Sequence, residues 1–177
     1  MGKRIEADVI WLMGLSGAGK STLAKMLVER LAAAGRRVEL IDGDLTRDFF
    51  EDRGDYSREN RIANVKRIAF AAMLLARQGV TVVVSNASPF EETRRFIRSK
   101  IPGYREIYLS ASVEDCAKRD DKGLYARAKT GALKEMVGLD LPFEVPESPD
   151  LTLATGREAP EASFRQLVLF LEKKGLL

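Results

Sequence analysis

Five short apolar runs along the chain have the length and spacing of buried strands. Residues 9–13 are continuously apolar, residues 38–41 have one polar interruption, and residues 80–84 contain four valines. Residues 104–109 and 151–153 form two weaker runs. Because short β-branched runs without alternation are typical of strands buried on both faces, this pattern predicts a parallel sheet.

Amphipathic helices are predicted between these runs. In the longest of them, Val65, Ala69, Ala72 and Ala76 recur at three- and four-residue spacing, and Ser57 is placed to cap the helix start. The predicted helices cover residues 21–34, 59–78, 91–99, 113–119 and 160–174. Strands that alternate with helices predict an α/β fold, a parallel sheet covered by helices on both faces.

One stretch interrupts this alternation. Residues 120–149 contain three glycines and three prolines, with a short helical interval at residues 124–134. A long irregular excursion within a compact domain is usually a functional lid, and a disordered linker is the alternative. The apolar residues at 141–143 and 145–146 favour docking, so we expect a single domain over residues 1–177 with a mobile lid at about 120–149.

The composition excludes several kinds of catalytic and metal site. The 177 residues include no histidine, which excludes imidazole general bases and His-ligated metals. Cys116 is the single cysteine, so neither an intrachain disulfide nor a Cys-cluster metal site can form. We expect Cys116 to be a small buried side chain rather than a nucleophile. Any general base must therefore be a carboxylate, a lysine or a tyrosine.

The charge and hydropathy patterns indicate few macromolecular partners. There are 29 Lys and Arg against 26 Asp and Glu, and a net charge of +3 is too small to indicate nucleic-acid binding. The sequence has no apolar run of 18 residues and no signal-peptide core. We therefore expect a cytoplasmic protein that binds neither nucleic acid nor a membrane.

A phosphate-binding motif follows the first predicted strand. Residues 14–21, GLSGAGKS, match G-x-x-x-x-G-K-[ST] and open an amphipathic helix, which is the context that this motif requires. Glycines let backbone N–H groups converge on a phosphate, Lys20 would reach the β- and γ-phosphates, and Ser21 would ligate Mg²⁺. A glycine-rich turn without a ligand is the weaker alternative. The sequence therefore predicts a P-loop NTPase fold whose ATP-binding residues are Gly14, Leu15, Ser16, Gly17, Ala18, Gly19, Lys20, Ser21 and Thr22.

Further features favour a kinase among P-loop proteins. The chain has no N-K-x-D motif for guanine, and the D-x-x-G match at residues 120–123 lies too late in the chain to count. Asp42 and Asp44 follow the second strand, at the sheet edge that also carries the P-loop. One carboxylate could hold Mg²⁺ through water while the other accepts a proton from an attacking hydroxyl. An Asp-Gly turn that caps the next helix is the alternative.

Motifs in a fixed order connect the chain with a known family. They run from about residue 10 to residue 153 and comprise residues 14–22, 42–47, 56–61 with Asn64 and Arg67, 88–90, 119–120 with 122–125, and 138–140 with 142–144. This set resembles the adenylylsulfate (APS) kinase family, which uses MgATP to phosphorylate the 3′-hydroxyl of adenosine 5′-phosphosulfate. The resemblance implies a phosphotransferase with an alcohol acceptor that acts in sulfate assimilation, with Mg²⁺ as cofactor. It leaves open a homodimer and functional coupling to an ATP sulfurylase.

The resemblance also implies a catalytic set. Asp44 is the expected base on the 3′-hydroxyl, Asp42 is expected near the metal, and Lys20 is expected on the transferring group. Ser88 matches a serine that is treated in the family as a phosphoserine intermediate. Because in-line transfer between two bound nucleotides needs no covalent relay, we expect Ser88 to act by positioning.

The acceptor is expected to lie against paired arginines. Arg47, Arg61 and Asn64 would hold its phosphosulfate and ribose, and guanidinium groups suit such oxyanions. Arg61 and Asn64 are three residues apart and share a helix face, which we place opposite the apolar stripe. Tyr56 would stack on the acceptor adenine, and Lys122 would bridge donor and acceptor phosphates from the lid. The resemblance adds Arg119 to the ATP-binding residues and gives as acceptor-binding residues Asp44, Arg47, Tyr56, Arg61, Asn64, Ala87, Ser88, Lys122, Met136 and Val137.

The chain departs from the family pattern beside the acceptor. Asn86 and Ala87 stand where the family usually has Phe-Ile, and Met136 and Val137 stand where it usually has Phe-Thr. These departures motivate a second hypothesis, the same chemistry on another nucleotide such as a cytidine diphosphate derivative. A third hypothesis is a non-catalytic nucleotide-binding module, against which the complete set of candidate catalytic residues argues.

Overall fold

A parallel sheet forms the centre of the structure. A computed structural model describes residues 7–52 and 56–177. The sheet has five strands in the order β2-β3-β1-β4-β5, and every pairing is parallel. The strands are β1 (Val9–Met13), β2 (Val38–Asp42), β3 (Thr81–Ser85), β4 (Tyr104–Leu109) and β5 (Leu151–Leu153). All five predicted strands are therefore confirmed, with ends that shift by one residue at most.

The helices follow the predicted alternation with one addition. The five predicted helices are confirmed, the predicted interval at 124–134 is helical only over its first half, and a short helix after β2 was not predicted. The helices are α1 (Lys20–Ala33), α2 (Gly43–Phe49), α3 (Arg58–Ala76), α4 (Glu91–Lys100), α5 (Val113–Lys118), α6 (Leu124–Lys129) and α7 (Pro160–Lys173). The Ser57 hydroxyl accepts from the backbone N–H of Asn60, which confirms the predicted cap of α3.

Side chains of the central strand alternate between two hydrophobic cores. Ile10 and Leu12 point to the core that contains α1 and α7, whereas Val9, Trp11 and Met13 point to the core that contains α3 and α4. All five residues are 0% exposed. Because β1 is covered by helices on both faces, it needs no polar position.

The expectation that residues 38–41 are buried on both faces was wrong. Each residue of β2 is at least partly exposed, and Glu39 is exposed. The reason is its place in the sheet, since β2 is an edge strand with a single neighbour, β3. Its carboxyl end nevertheless lies at the same sheet edge as the end of β1, so Asp42 faces the P-loop.

The lid segment (residues 120–149) contacts the rest of the fold at several points, three of which lie near its two ends. The Tyr125 hydroxyl donates to the carbonyl of Ser16 at 2.9 Å, the ring of Phe143 stacks on Tyr108, and the N–H of residue 144 donates to the carbonyl of Pro89. The mobility of this segment stays a prediction. Within residues 7–52 and 56–177 no helix has the length and apolar character that a membrane span needs.

Candidate active site

A cavity of about 850 Å³ opens at the carboxyl ends of the strands. Its walls come from the P-loop, the turn between β2 and α2, the start of α3, the loop after β3 and the lid segment. Ligand sites of α/β proteins lie at this edge of the sheet, and the volume is within the range of small-molecule sites. The cavity therefore brings together parts of the chain that are more than a hundred residues apart.

The glycines of the P-loop are required by close backbone contacts. Gly14 has φ +146°, and a Cβ there would lie 2.7 Å from the carbonyl oxygen of Leu109. Gly17 has φ +80°, and a Cβ there would lie 2.9 Å from the carbonyl oxygen of Cys116. A side chain at either position would therefore collide with a backbone carbonyl and would also strain its own backbone, since φ is positive there. Cys116 itself is fully buried, as expected.

Lys20 is held at the centre of this loop. Its Nζ donates to the carbonyls of Gly14 at 3.0 Å and Leu15 at 2.7 Å. Burial lowers the pKa of Lys20 to about 8, because the charged ammonium is withdrawn from water. A phosphate at this position would restore a counter-charge to the ammonium.

Ser21, Asp42 and Ser85 form a polar cluster beside Lys20. The Ser21 hydroxyl donates to Asp42 Oδ2 at 3.3 Å and lies 3.3 Å from the Ser85 hydroxyl. The other Asp42 oxygen accepts from the backbone N–H of Asp44 at 2.8 Å, so Asp42 also caps α2. Both interpretations of Asp42, the cap and the metal-facing carboxylate, are therefore compatible with its geometry.

Hard cations suit this cluster only in part. Hydroxyl and carboxylate oxygens are the donors that Mg²⁺ prefers, and Mg²⁺ in nucleotide sites keeps several ligands from water and phosphate. In the described part of the chain no group of three or more Cys, Asp or Glu side chains could hold a metal. Ser21 and Asp42 thus fit a metal that arrives with a nucleotide rather than a cage built by the protein alone.

Asp44 lies in the first turn of α2 and faces the lid segment. Lys122 Nζ lies 2.5 Å from Asp44 Oδ2, and both side chains are about 60% exposed. The hydrogen bond to Asp44 raises the pKa of Lys122. An ion pair this exposed contributes at most about 1 kcal/mol to stability, so its significance is geometric: it brings the lid segment to the candidate base.

Two arginines flank one tyrosine in the cavity wall. The guanidinium carbons of Arg47 and Arg61 lie 4.9 Å and 5.2 Å from the centre of the Tyr56 ring. Arg61 Nε donates to the Tyr56 carbonyl at 2.8 Å and an NH2 group donates to the Glu135 carbonyl at 2.9 Å. Burial, and then the charge of Arg47, lowers the pKa of Arg61 to about 10. This cluster of positive charge suits a multiply charged anion.

Asn64 lies three residues after Arg61 on α3 and is 1% exposed. Its Nδ2 donates to the carbonyl of Gly43 at 3.3 Å, whereas its buried Oδ1 has no hydrogen-bond partner among the described residues. The expectation that Arg61 and Asn64 lie opposite the apolar stripe was wrong, because Asn64 is buried on the same face as Val65 and Ile68. Both residues nevertheless line the cavity, because they occupy the first two turns of α3.

The loop after β3 forms part of the cavity wall. Ala87 lines the cavity, whereas Ser88 is 0% exposed and lies behind the lining residues. Trp11 Nε1 donates to the Ser88 hydroxyl at 2.8 Å, and that hydroxyl donates to Asn86 Oδ1 at 3.0 Å. Arg94 donates to the Ser88 carbonyl at 3.0 Å. A hydroxyl enclosed in this way favours the positioning role expected from the sequence.

Most of the remaining predicted residues line the cavity as well, but Gly14 and Leu15 do not, and several residues that were not predicted also line it. Met136 and Val137 are 4% and 6% exposed. Thr22 and Arg119, which were predicted, also line the cavity. Among the lining residues that were not predicted are Ser85, Thr155 and Glu158. Ser85 and Thr155 lie at or just beyond the ends of β3 and β5, so a search of strand ends would have found them.

Comparisons of the sequence and of the fold with known proteins have one family in common. Residues 6–154 match the family described as adenylylsulphate kinase. An adenylyl-sulfate kinase of Picosynechococcus sp. is 41% identical over 168 residues, 95% of both chains, and one of Deinococcus deserti is 45% identical over 160 residues, 90% of this chain and 88% of its own. The fold matches the structure of the Mycobacterium tuberculosis APS kinase in complex with AMPPNP and APS, with a TM-score of 0.88 and 31% identity over 94% of this chain and 98% of that one.

Proposed function

Since the chain belongs to the adenylylsulphate kinase family, we propose that it transfers the γ-phosphoryl group of ATP to the ribose 3′-hydroxyl of adenosine 5′-phosphosulfate, a reaction of sulfate assimilation. The products are ADP and 3′-phosphoadenylyl sulfate. The observation that carries this proposal is a cavity lined by a P-loop lysine, a carboxylate and a pair of arginines. Those groups meet the needs of a donor triphosphate, an attacking hydroxyl and an anionic acceptor.

The donor binds to the P-loop. Backbone N–H groups of the P-loop (residues 14–22) that face the cavity bind the β-phosphate, Lys20 leaves its two carbonyl partners for the β- and γ-phosphates, and Arg119 lines the donor side. Ser21 and Asp42 would hold Mg²⁺, which would neutralise charge on the phosphates when it is bound with ATP.

The acceptor binds at the other end of the cavity. Arg47 and Arg61 neutralise its phosphosulfate, and Tyr56, which they flank, stacks on the adenine. The Oδ1 atom of Asn64, which has no partner among the described residues, accepts a hydrogen bond from the bound APS. The apolar wall is completed by Ala87, Met136 and Val137.

Asp44 acts as the general base. It accepts the proton of the 3′-hydroxyl while that oxygen attacks the γ-phosphorus, and Lys122 moves from Asp44 to the phosphates as charge passes between the two nucleotides. No covalent enzyme intermediate is needed, and Ser88 supports the floor of the site from behind. The chain works as one kinase domain with a lid that closes over both nucleotides, while a homodimer, coupling to a sulfurylase and a cytoplasmic location stay predictions.

Two substitutions and an acceptor screen test this assignment. Lys20→Ala should abolish transfer, and Asp44→Asn should retain ATP binding while it removes most turnover. Glu39→Gln, which neutralises an exposed carboxylate of β2 outside the cavity, is the matched control and should change neither. Substantial turnover by Lys20→Ala, or loss of ATP binding in Asp44→Asn, would contradict the assigned roles. Turnover of a cytidine diphosphate derivative in preference to APS would contradict the acceptor.

A further inference from the structure

Asn86 connects the loop after β3, to which it belongs, with the turn that carries Gly43 and Asp44. It directly follows β3, lines the cavity, and accepts hydrogen bonds on Oδ1 from both the backbone N–H and the hydroxyl of Ser88, each at 3.0 Å. Ser88 has φ +44°, a left-handed conformation that is uncommon for a residue with a side chain. The Asn86 carboxamide therefore holds the Ser88 turn in shape, as asparagine side chains do in tight turns.

The hydrogen bond from Ser88 also fixes which way the carboxamide points. The backbone N–H of Ser88 can only donate, so the oxygen of Asn86 must face it and Nδ2 must face the opposite side. On that side lies Gly43, and a Cβ on Gly43 would be only 2.4 Å from Asn86 Nδ2. The carboxamide thus fills the space that a side chain at position 43 would need.

Gly43 is consequently held from two directions. Asn86 Nδ2 packs against it from the loop after β3, and Asn64 Nδ2 donates to its carbonyl from α3 at 3.3 Å. The next residue in the chain is Asp44, in the first turn of α2. Any movement of Gly43 is therefore passed directly to the carboxylate that faces the acceptor.

We propose that Asn86 is a positioning residue for phosphoryl transfer: its carboxamide sets the separation between the Gly43–Asp44 turn and the Ser88 turn, and so places the Asp44 carboxylate on the acceptor hydroxyl. This inference rests on the proposed function. A displacement of about 1 Å at a reacting group can cost about 100-fold in rate, whereas binding of the donor does not depend on this spacing. The expected signature is a loss in kcat without a change in the KM for ATP.

Two variants of similar size test the inference. Asn86→Leu removes every hydrogen-bonding group, and we expect kcat with APS to fall by about 10- to 100-fold while the KM values for ATP and APS stay within about threefold. Asn86→Asp keeps an oxygen for Ser88 but sets a third carboxylate beside Asp42 and Asp44. Repulsion among the three carboxylates should displace Asp44 and lower kcat, and protonation of the introduced carboxyl removes that repulsion. The ratio of the kcat of Asn86→Asp to the kcat of the unmodified protein should therefore rise as the pH falls from 8 to 6.

A control and a folding check keep these results separable. Gln78→Leu removes an exposed carboxamide outside the cavity and should leave kcat unchanged. Thermal unfolding shows whether each variant is folded. If Asn86→Leu does not fold, Asn86→Asp alone tests the positioning role. Unmodified protein without APS turnover would refute the proposed function itself. The positioning role alone would be overturned if the unmodified protein turns over APS and the kcat of both variants lies within twofold of its kcat. It would also be overturned if the variants differ from the unmodified protein only by a higher KM for APS.

Discussion

Lys20 should make nucleotide binding depend on pH in a range where few other groups titrate. Burial lowers its pKa to about 8, and the phosphates of a bound nucleotide favour the charged form and return the pKa to its ordinary range above 10. The chain has no histidine, and burial raises the pKa of Cys116, so neither residue type ionises between pH 7 and 8 in competition with Lys20. The ammonium is thus the main source of any pH dependence of nucleotide binding near pH 8.

The size of the effect follows from the pKa. With a pKa of about 8 in the free protein, about nine-tenths of the Lys20 side chains are charged at pH 7 and about one-tenth at pH 9. Since the phosphates bind the charged form, affinity should fall about tenfold between these pH values, or about 1.4 kcal/mol. At pH 8 about half a proton should be taken up for each nucleotide bound.

Titration calorimetry with a nonhydrolysable ATP analogue and Mg²⁺ measures both quantities. Two buffers of different ionisation enthalpy give the proton uptake at pH 8, and titrations at pH 7 and 9 give the affinities. Lys20→Arg is the control, because a guanidinium stays charged throughout; its affinity should change by less than about twofold. An unmodified protein whose affinity is equal at pH 7 and 9, with no proton uptake, would refute a desolvated ammonium that pairs with phosphate.

Three further substitutions test the residues that support the site and the residue proposed to bind its metal. Arg94→Met removes a 1% exposed guanidinium that donates to the Ser88 carbonyl and lies near buried Glu106. We expect the free energy of unfolding to fall by about 2–4 kcal/mol. Since the unfolding entropy of 177 residues is about 0.37 kcal/mol/K, calorimetry should show Tm lower by about 5–11 °C. Glu91→Gln, which removes its 45% exposed ion-pair partner, should shift Tm by no more than about 3 °C, and equal shifts would contradict this ranking. Ser21→Ala should raise the Mg²⁺ concentration for half-maximal activity about tenfold or more in a magnesium titration, and an unchanged midpoint would remove Ser21 from the metal site.

Local patterns predicted the strands and the phosphate loop because each is set by a few adjacent residues. The run at residues 9–13 and the P-loop motif that follows it depend on burial and on glycine, which can be recognised in a single sequence. The helix α2 escaped prediction because it is seven residues long and begins with Gly43, a poor helix former. Its stability comes from the Asp42 cap and from packing on α3, and the second of these is a tertiary contact.

Contacts between distant loops were beyond the reach of the sequence. The periodicity of α3 could not show that its first turns line a cavity, which is why Arg61 and Asn64 were assigned to the wrong face. The contact of Asn86 with Gly43 joins residues 43 positions apart, and the approach of Lys122 to Asp44 joins residues 78 apart. Such pairs depend on sheet order and on the path of the lid segment.

The central claim is most directly tested by identifying the product of the unmodified protein. The protein is incubated with MgATP and APS, the nucleotides are separated chromatographically, and the new product is treated with a 3′-nucleotidase. The account predicts one ADP for each new nucleotide, and a product that loses a single phosphate to regenerate APS. Formation of ADP without a phosphorylated acceptor, or a product that resists the 3′-nucleotidase, would contradict it.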